Sequence, residues 1–135
     1  MCNILVPVDG SDSSARAVQL LIRLYPKLAP LEVRLLYVQV PVVRIGDDSP
    51  SAHSSETADR GPLATAKALL DEAAIGYMSD VAYGYVASTI VSYAREHGSD
   101  AIIMGTRGAG STEQLLGSIA RQVVQLADMP VTLVK

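Results

Sequence analysis

Two short stretches of this chain carry residue types that can do chemistry. The first is Gly105-Thr106-Arg107-Gly108-Ala109-Gly110-Ser111, a glycine-rich run that leads into a segment of helical period. Glycines let backbone N–H groups approach a ligand closely and adopt positive φ. A helix start adds unpaired N–H donors and a partial positive charge. Together these make an anion site suited to phosphates. The hydroxyls of Thr106, Ser111 and Ser118 can add donors, and Arg107 faces either the phosphates or solvent. The second stretch is Val8-Asp9-Gly10-Ser11, a polar turn after an apolar run.

Commoner phosphate motifs fit poorly. Gly105 to Gly110 has the glycine spacing of a P-loop, but Ser111 stands where that loop needs lysine. No G-x-G-x-x-G follows the first apolar run, and no G-x-S-x-G elbow supports a hydrolase. No paired carboxylates with an adjacent base suggest acid–base chemistry. Neither His53 nor His97 has a partner at metal-ligand spacing, so both read as solvated and no metal-ligating residues are expected. Cys2 reads as structural, and Ser11, Ser13 and Ser14 as helix caps rather than nucleophiles. Asp9 has a purely structural reading too, as the turn residue before a helix.

The elements that must position these stretches alternate along the chain. Ile4 to Val8 is a nearly continuous apolar run, the pattern of a strand buried on both faces. Pro7 cannot donate to a ladder, which suits the last turn of that strand. Ala17, Val18, Leu21, Leu24, Tyr25 and Leu28 then mark one face of a helix, with Pro26 expected to stop or bend it. Val33 to Val40 is a second strand. Residues 44 to 60 are polar and aperiodic, which predicts a mobile loop closed by Gly61-Pro62, with Pro62 at the first helical position. Leu63, Ala66, Leu70, Ala73 and Ala74 mark a second helix ending at Gly76, and residues 77 to 83 a short edge strand. Ala87, Ile90, Val91 and Ala94 give a third helix ending at His97-Gly98, with Tyr77, Tyr83, Tyr85 and Tyr93 packed around this strand and helix. Ala101 to Met104, a fourth helix through Leu116, Ile119, Ala120, Val123, Val124 and Ala127, and a terminal strand Val131 to Val134 complete the order β-α-β-α-β-α-β-α-β.

Strands separated by helices run parallel with right-handed crossovers. The expected fold is therefore α/β: one doubly wound five-stranded parallel sheet with helices on both faces, in one domain over residues 1–135. Ligands of such sheets bind at the carboxyl ends of the strands, where the winding reverses. If strands one and four are neighbours, both chemical stretches line one crevice.

Composition narrows the functional classes. The chain has 135 residues, 49% apolar and 19% charged, which fits a globular domain with a sizeable core. A net charge of −3 and the absence of any basic run argue against general nucleic-acid binding. No stretch approaches the roughly 20 apolar residues of a membrane span, and no signal-peptide pattern opens the chain. A single cysteine allows no intramolecular disulfide, and a cytoplasmic location is expected.

At this point the residues carry a resemblance. From end to end the chain resembles the universal stress protein family. It does so through Ile4-Leu5-Val6-Pro7-Val8-Asp9-Gly10-Ser11, Leu36-Tyr37-Val38, Gly84 to Ile90, Ser99 to Gly108, Leu115-Leu116-Gly117-Ser118 and Pro130-Val131-Thr132-Leu133-Val134. The nucleotide-binding branch of that family carries G-x2-G-x9-G-[ST]. Here Gly105-x2-Gly108 is followed by eight residues and then Gly117-Ser118, so the loop is one residue shorter, and Glu113 adds a negative charge within it.

The resemblance implies a Rossmann-like sheet of strand order 3-2-1-4-5 and a regulatory, stress-response role without enzymatic turnover. Asp9 and the backbone near Pro7 would face the adenosine end, and the Val38 backbone would hold the adenine edge. Met104 and Gly105 would floor the ribose and phosphate region. Arg107, Gly108, Gly117 and Ser118 would lie at the phosphates. ATP, or AMP or ADP, would be the ligand, with Mg²⁺ accompanying ATP, and a homodimer would form through Val131 to Val134. The competing expectation is an interaction module of the same fold that has lost the nucleotide. An enzyme of the wider adenine-nucleotide α-hydrolase-like group is a weaker third.

Overall fold

The computed structural model describes residues 2–41, 61–107 and 116–135. The loop expected at 44–60, Gly108, Glu113 and the middle of the glycine-rich run lie outside the described residues. In chain order the elements are β1 (Cys2–Pro7), α1 (Asp12–Leu28), β2 (Leu31–Gln39), α2 (Ala64–Glu72), β3 (Tyr77–Tyr83), α3 (Val86–Glu96), β4 (Ala101–Gly105), α4 (Ser118–Leu126) and β5 (Val131–Val134).

The five strands form one parallel sheet of order β3-β2-β1-β4-β5, as the sequence implied. Alternation of side chains splits the core into two layers. Ile4, Val6 and Val8 of the first strand turn to one face, where Val18 and Leu21 of α1 and Ala66 and Leu70 of α2 pack. Leu5 turns to the other, against Ile90 and Ala94 of α3 and Ala120 and Val123 of α4.

Several boundaries differ from the sequence reading. Pro26 neither stops nor ends α1, which continues to Leu28. Helix α2 begins at Ala64 rather than Pro62, after a turn at 61–63, and it ends through Ala74 in the left-handed region (φ 57°) instead of at Gly76. His97 is not simply solvated. Its ring stacks on Tyr93 with centroids 3.8 Å apart, and its Nδ1 lies 2.9 Å from the Tyr93 carbonyl. The tyrosines do not act as one packing group. Tyr93 is buried, whereas Tyr83 and Tyr85 are exposed. Val124, assigned to the inner face of α4, is also exposed.

Pro7 sits where the strand order reverses, since β1 has β2 on one side and β4 on the other. Val8 N–H donates to Leu36 C=O at 2.8 Å, so even-numbered residues of β1 bond toward β2. Odd-numbered residues bond toward β4, as the Asp100 N–H to Asn3 C=O bond (2.7 Å) shows. The donor that proline lacks is therefore the next rung toward β4, and pairing of β1 with β4 stops at Leu5↔Ile102. The two strands part at their carboxyl ends.

Candidate functional site

A cavity of about 430 Å³ opens at that parting. It lies within the size range of small-ligand sites. Pro7, Val8 and Asp9 enter it from the end of β1, and Leu36 and Val38 from the end of β2. Met104, Gly105, Thr106 and Arg107 enter from the end of β4, Val86 and Ile90 from the first turns of α3, and Gly117 to Ala120 from the start of α4. Pro7, Asp9, Val38, Met104, Gly105, Thr106, Arg107, Gly117 and Ser118, all named from the sequence, line it; Gly108 and Ser111 lie outside the described residues.

The cavity has two chemically different ends. Leu36, Val38, Val86 and Ile90 make an apolar wall fit for a flat, weakly polar group. Asp9, Thr106, Arg107 and Ser118 make a polar end. In α4 the first backbone bond runs from Arg121 N–H to Gly117 C=O (3.1 Å), and no side chain caps the helix. The N–H groups of Ser118, Ile119 and Ala120 thus have no intrahelical acceptor, and these residues line the cavity. Such a terminus favours an anion.

Asp9 lines the cavity and also has the structural role of a turn residue. One carboxylate oxygen accepts the Ser11 N–H at 2.9 Å, closing the turn before α1. Ser11, not Ser13, is the cap: its Oγ accepts the Ser14 N–H at 3.1 Å. Gly10 sits at φ +84°, in the left-handed region that glycine occupies without strain.

Two glycines of the polar end are explained by the fold itself. Gly105 lies so close to α1 that an added Cβ would stand 2.6 Å from the Ser13 carbonyl carbon. Its bare Cα admits the helix. Gly117 has an ordinary extended conformation (φ −64°, ψ 155°), and its N–H donates to Thr106 C=O at 2.7 Å. That donor is spent on holding the loop ends together. The free donors are those of the following turn.

The sequence reading has Ile90 only as part of a helix face and gives Val86 no role of its own. Their place in the wall follows from the strand order, which brings the start of α3 over the ends of β2 and β1. The period of the helix gives no sign of it.

The fold and the site together define a nucleotide-sized crevice at the switch point of a doubly wound sheet. The model of the universal stress protein family matches residues 1–135, and the chain belongs to that family. It is 32% identical over 138 residues to universal stress protein MJ0531 of Methanocaldococcus jannaschii, covering 98% of this chain and 81% of that one. Among solved structures it superposes on hypothetical protein MJ0577 with a TM-score of 0.81 and 26% identity, covering 99% and 95% of the two chains. The fold also matches the universal stress protein from Archaeoglobus fulgidus in complex with dAMP, with a TM-score of 0.74 and 22% identity over 100% and 98% of the chains.

Proposed function

We propose that this protein binds an adenine nucleotide as an occupancy signal, with the base against Val38, Val86 and Ile90 and the phosphates at the start of α4. The observation that carries the reading is one cavity joining an apolar wall to a helix start with uncapped N–H groups. The dAMP complex of the Archaeoglobus fulgidus relative supports the same choice of ligand class. ATP is the favoured form, with AMP and ADP occupying the same subsites less completely. Mg²⁺ would arrive with the triphosphate, since this ion binds largely through phosphates and water. Among the described residues that line the cavity, Asp9 and Arg107 are the charged ones, and no histidine or cysteine stands beside them as a base or nucleophile. A regulatory role fits that wall better than turnover.

The edge position of β5 supports a second element of the proposal, a homodimer through Val131 to Val134. The chain shows no helix among its described residues long and apolar enough to cross a membrane. With a net charge of −3, nucleic acid is not a proposed partner.

The deciding experiment is thermal unfolding with ATP and Mg²⁺. A ligand at ten times its Kd stabilises the folded state by about 1.4 kcal/mol. For a domain of this size that raises the melting point by roughly 3–5 °C. GTP should raise it less, because the base edge is held by backbone groups near Val38. No shift with any nucleotide at millimolar concentration overturns the reading and favours the interaction module, which the one-residue-shorter Gly105–Gly117 loop would accommodate.

A further inference from the structure

Ser13 is the second residue of α1 and only 4% exposed, yet it is neither the helix cap nor part of the cavity wall. Its hydroxyl joins three segments. The Oγ accepts the Arg107 N–H at 3.3 Å and reaches the Val134 carbonyl, to which it donates, at 3.5 Å. The same Val134 carbonyl accepts the Thr106 N–H at 3.0 Å. The two residues that leave β4 for the glycine-rich run are therefore held by the edge strand and by one buried hydroxyl. Thr106 in turn accepts the Gly117 N–H, which sets the start of α4.

We propose that Ser13 is the positioning residue for the phosphate end of the site, acting through the Arg107 backbone and the Val134 carbonyl. The proposal rests on the nucleotide reading above. Without the hydroxyl, the Arg107 N–H loses its bond to Ser13, and the chain leaving β4 loses that tie to α1. Arg107 and Thr106 line the polar end, and Thr106 holds Gly117, so the loss is felt where phosphates sit. The apolar wall is built from other strands and from α3, and it is left as it was. The same link ties the polar end to β5, so a ligand there bears on the sheet edge through Val134.

The test is Ser13→Ala, which removes the hydroxyl, adds no volume beside Gly105 and suits a helix. Calorimetric titration with adenosine and with ADP separates the two ends of the cavity. ADP affinity should fall on the order of tenfold, as expected when a part-buried donor loses a hydrogen bond. Adenosine affinity should stay within about twofold of the unmutated protein. In the unligated variant, the Arg107 amide should exchange with solvent faster, while amides of β1 and β2 keep their protection. An ADP-to-adenosine affinity ratio equal to that of the unmutated protein overturns the positioning role and leaves the nucleotide reading standing. So does an unchanged Arg107 amide. Failure of the unmutated protein to bind either compound overturns both.

Discussion

Gly105 lies directly under Ser13: a Cβ added to the glycine would stand 2.6 Å from the serine carbonyl carbon and 2.7 Å from its carbonyl oxygen, besides meeting the hydroxyl. The obstacle is helix backbone and cannot rotate away. Gly105→Ala should therefore push α1 off β4, at the overpacking cost of about 1–3 kcal/mol. The melting point should fall by roughly 3–10 °C. Adding Ser13→Ala should not restore it, because the backbone atoms remain. Thermal denaturation of the single and double variants checks both statements, and full recovery in the double variant would place the obstacle in the hydroxyl alone.

Tyr93 predicts a pH dependence. Its hydroxyl donates to Asp80 Oδ2 at 3.1 Å, bridging α3 and β3. Burial pushes the Tyr93 phenol up from its ordinary value of 10.0; Arg34 beside it opposes this, and the Asp80 charge adds to it. Arg34 itself pairs with Glu32 at 3.3 Å. The folded-state value is raised, so the neutral phenol favours folding at every pH below about 10, and that contribution is lost as pH climbs through the raised value. Denaturant unfolding at pH 8 and pH 11 should show a loss that is smaller in Tyr93→Phe. At neutral pH the phenylalanine variant should be weaker by about 0.5–1.5 kcal/mol, the net worth of one hydrogen bond. An equal loss at pH 11 in both proteins would show that other groups set the alkaline limit.

How much of this was legible in the sequence depends on which residues face which neighbours. The continuous apolar runs of β1 and β4 announce strands covered on both faces, and the polar turns after them mark the ligand end. Pro7 carried more than an ending. Its missing donor falls on the β4 side, which only the strand order reveals. Gly105 was legible as a glycine needing close approach, and on the side where a Cβ would stand the approaching group is α1. Ala74 could not be foreseen: two backbone bonds at the helix end, Ala74 N–H to Asp71 C=O (3.1 Å) and Ile75 N–H to Leu70 C=O (3.0 Å), hold an exposed alanine in a conformation that propensity assigns to Gly76. His97 looked solvated because its partners, Tyr93 within its own helix and Asn3 from β1, which donates to its carbonyl at 3.0 Å, are not visible as a motif. The apolar wall from α3 was hidden for the same reason: Ile90 belongs to the face that packs the helix and also lines the cavity, together with Val86 one turn earlier.

The wall gives a prediction of its own. Val86 is the first residue of α3, half-buried, and lines the cavity in the same wall as Val38 and Ile90. Val86→Trp would fill the base end without entering either core layer at its centre. ATP affinity should fall by on the order of a hundredfold, since a steric block removes most of the apolar contact. The melting point without ligand should move by less than about 3 °C, as expected for a site at an element's edge. Calorimetric titration reads the first and thermal unfolding the second. Unchanged ATP binding would move the base away from α3.

The last prediction concerns the edge at β5. Ile102 N–H donates to Pro130 C=O at 2.9 Å and Thr106 N–H to Val134 C=O at 3.0 Å, so even-numbered residues of β5 face β4. Val131 and Leu133 turn their N–H and C=O groups outward. At the opposite edge of the sheet, the outward N–H of Val81 is covered by its neighbour Asp80, whose Oδ1 accepts it at 2.9 Å. A side chain so placed blocks strand addition at β3. The two edges thus differ, and pairing of two copies should use β5, antiparallel about a two-fold axis. Val131→Pro removes one outward donor and leaves every bond to β4 in place, which a proline on an edge strand permits. Across the two-fold the loss is counted twice, so the dimer constant should weaken by about tenfold to a hundredfold. Light scattering over a concentration series measures it. A monomeric mass for the unmutated protein at micromolar concentration ends the proposal, and a dimer indifferent to Val131→Pro puts its interface on another face.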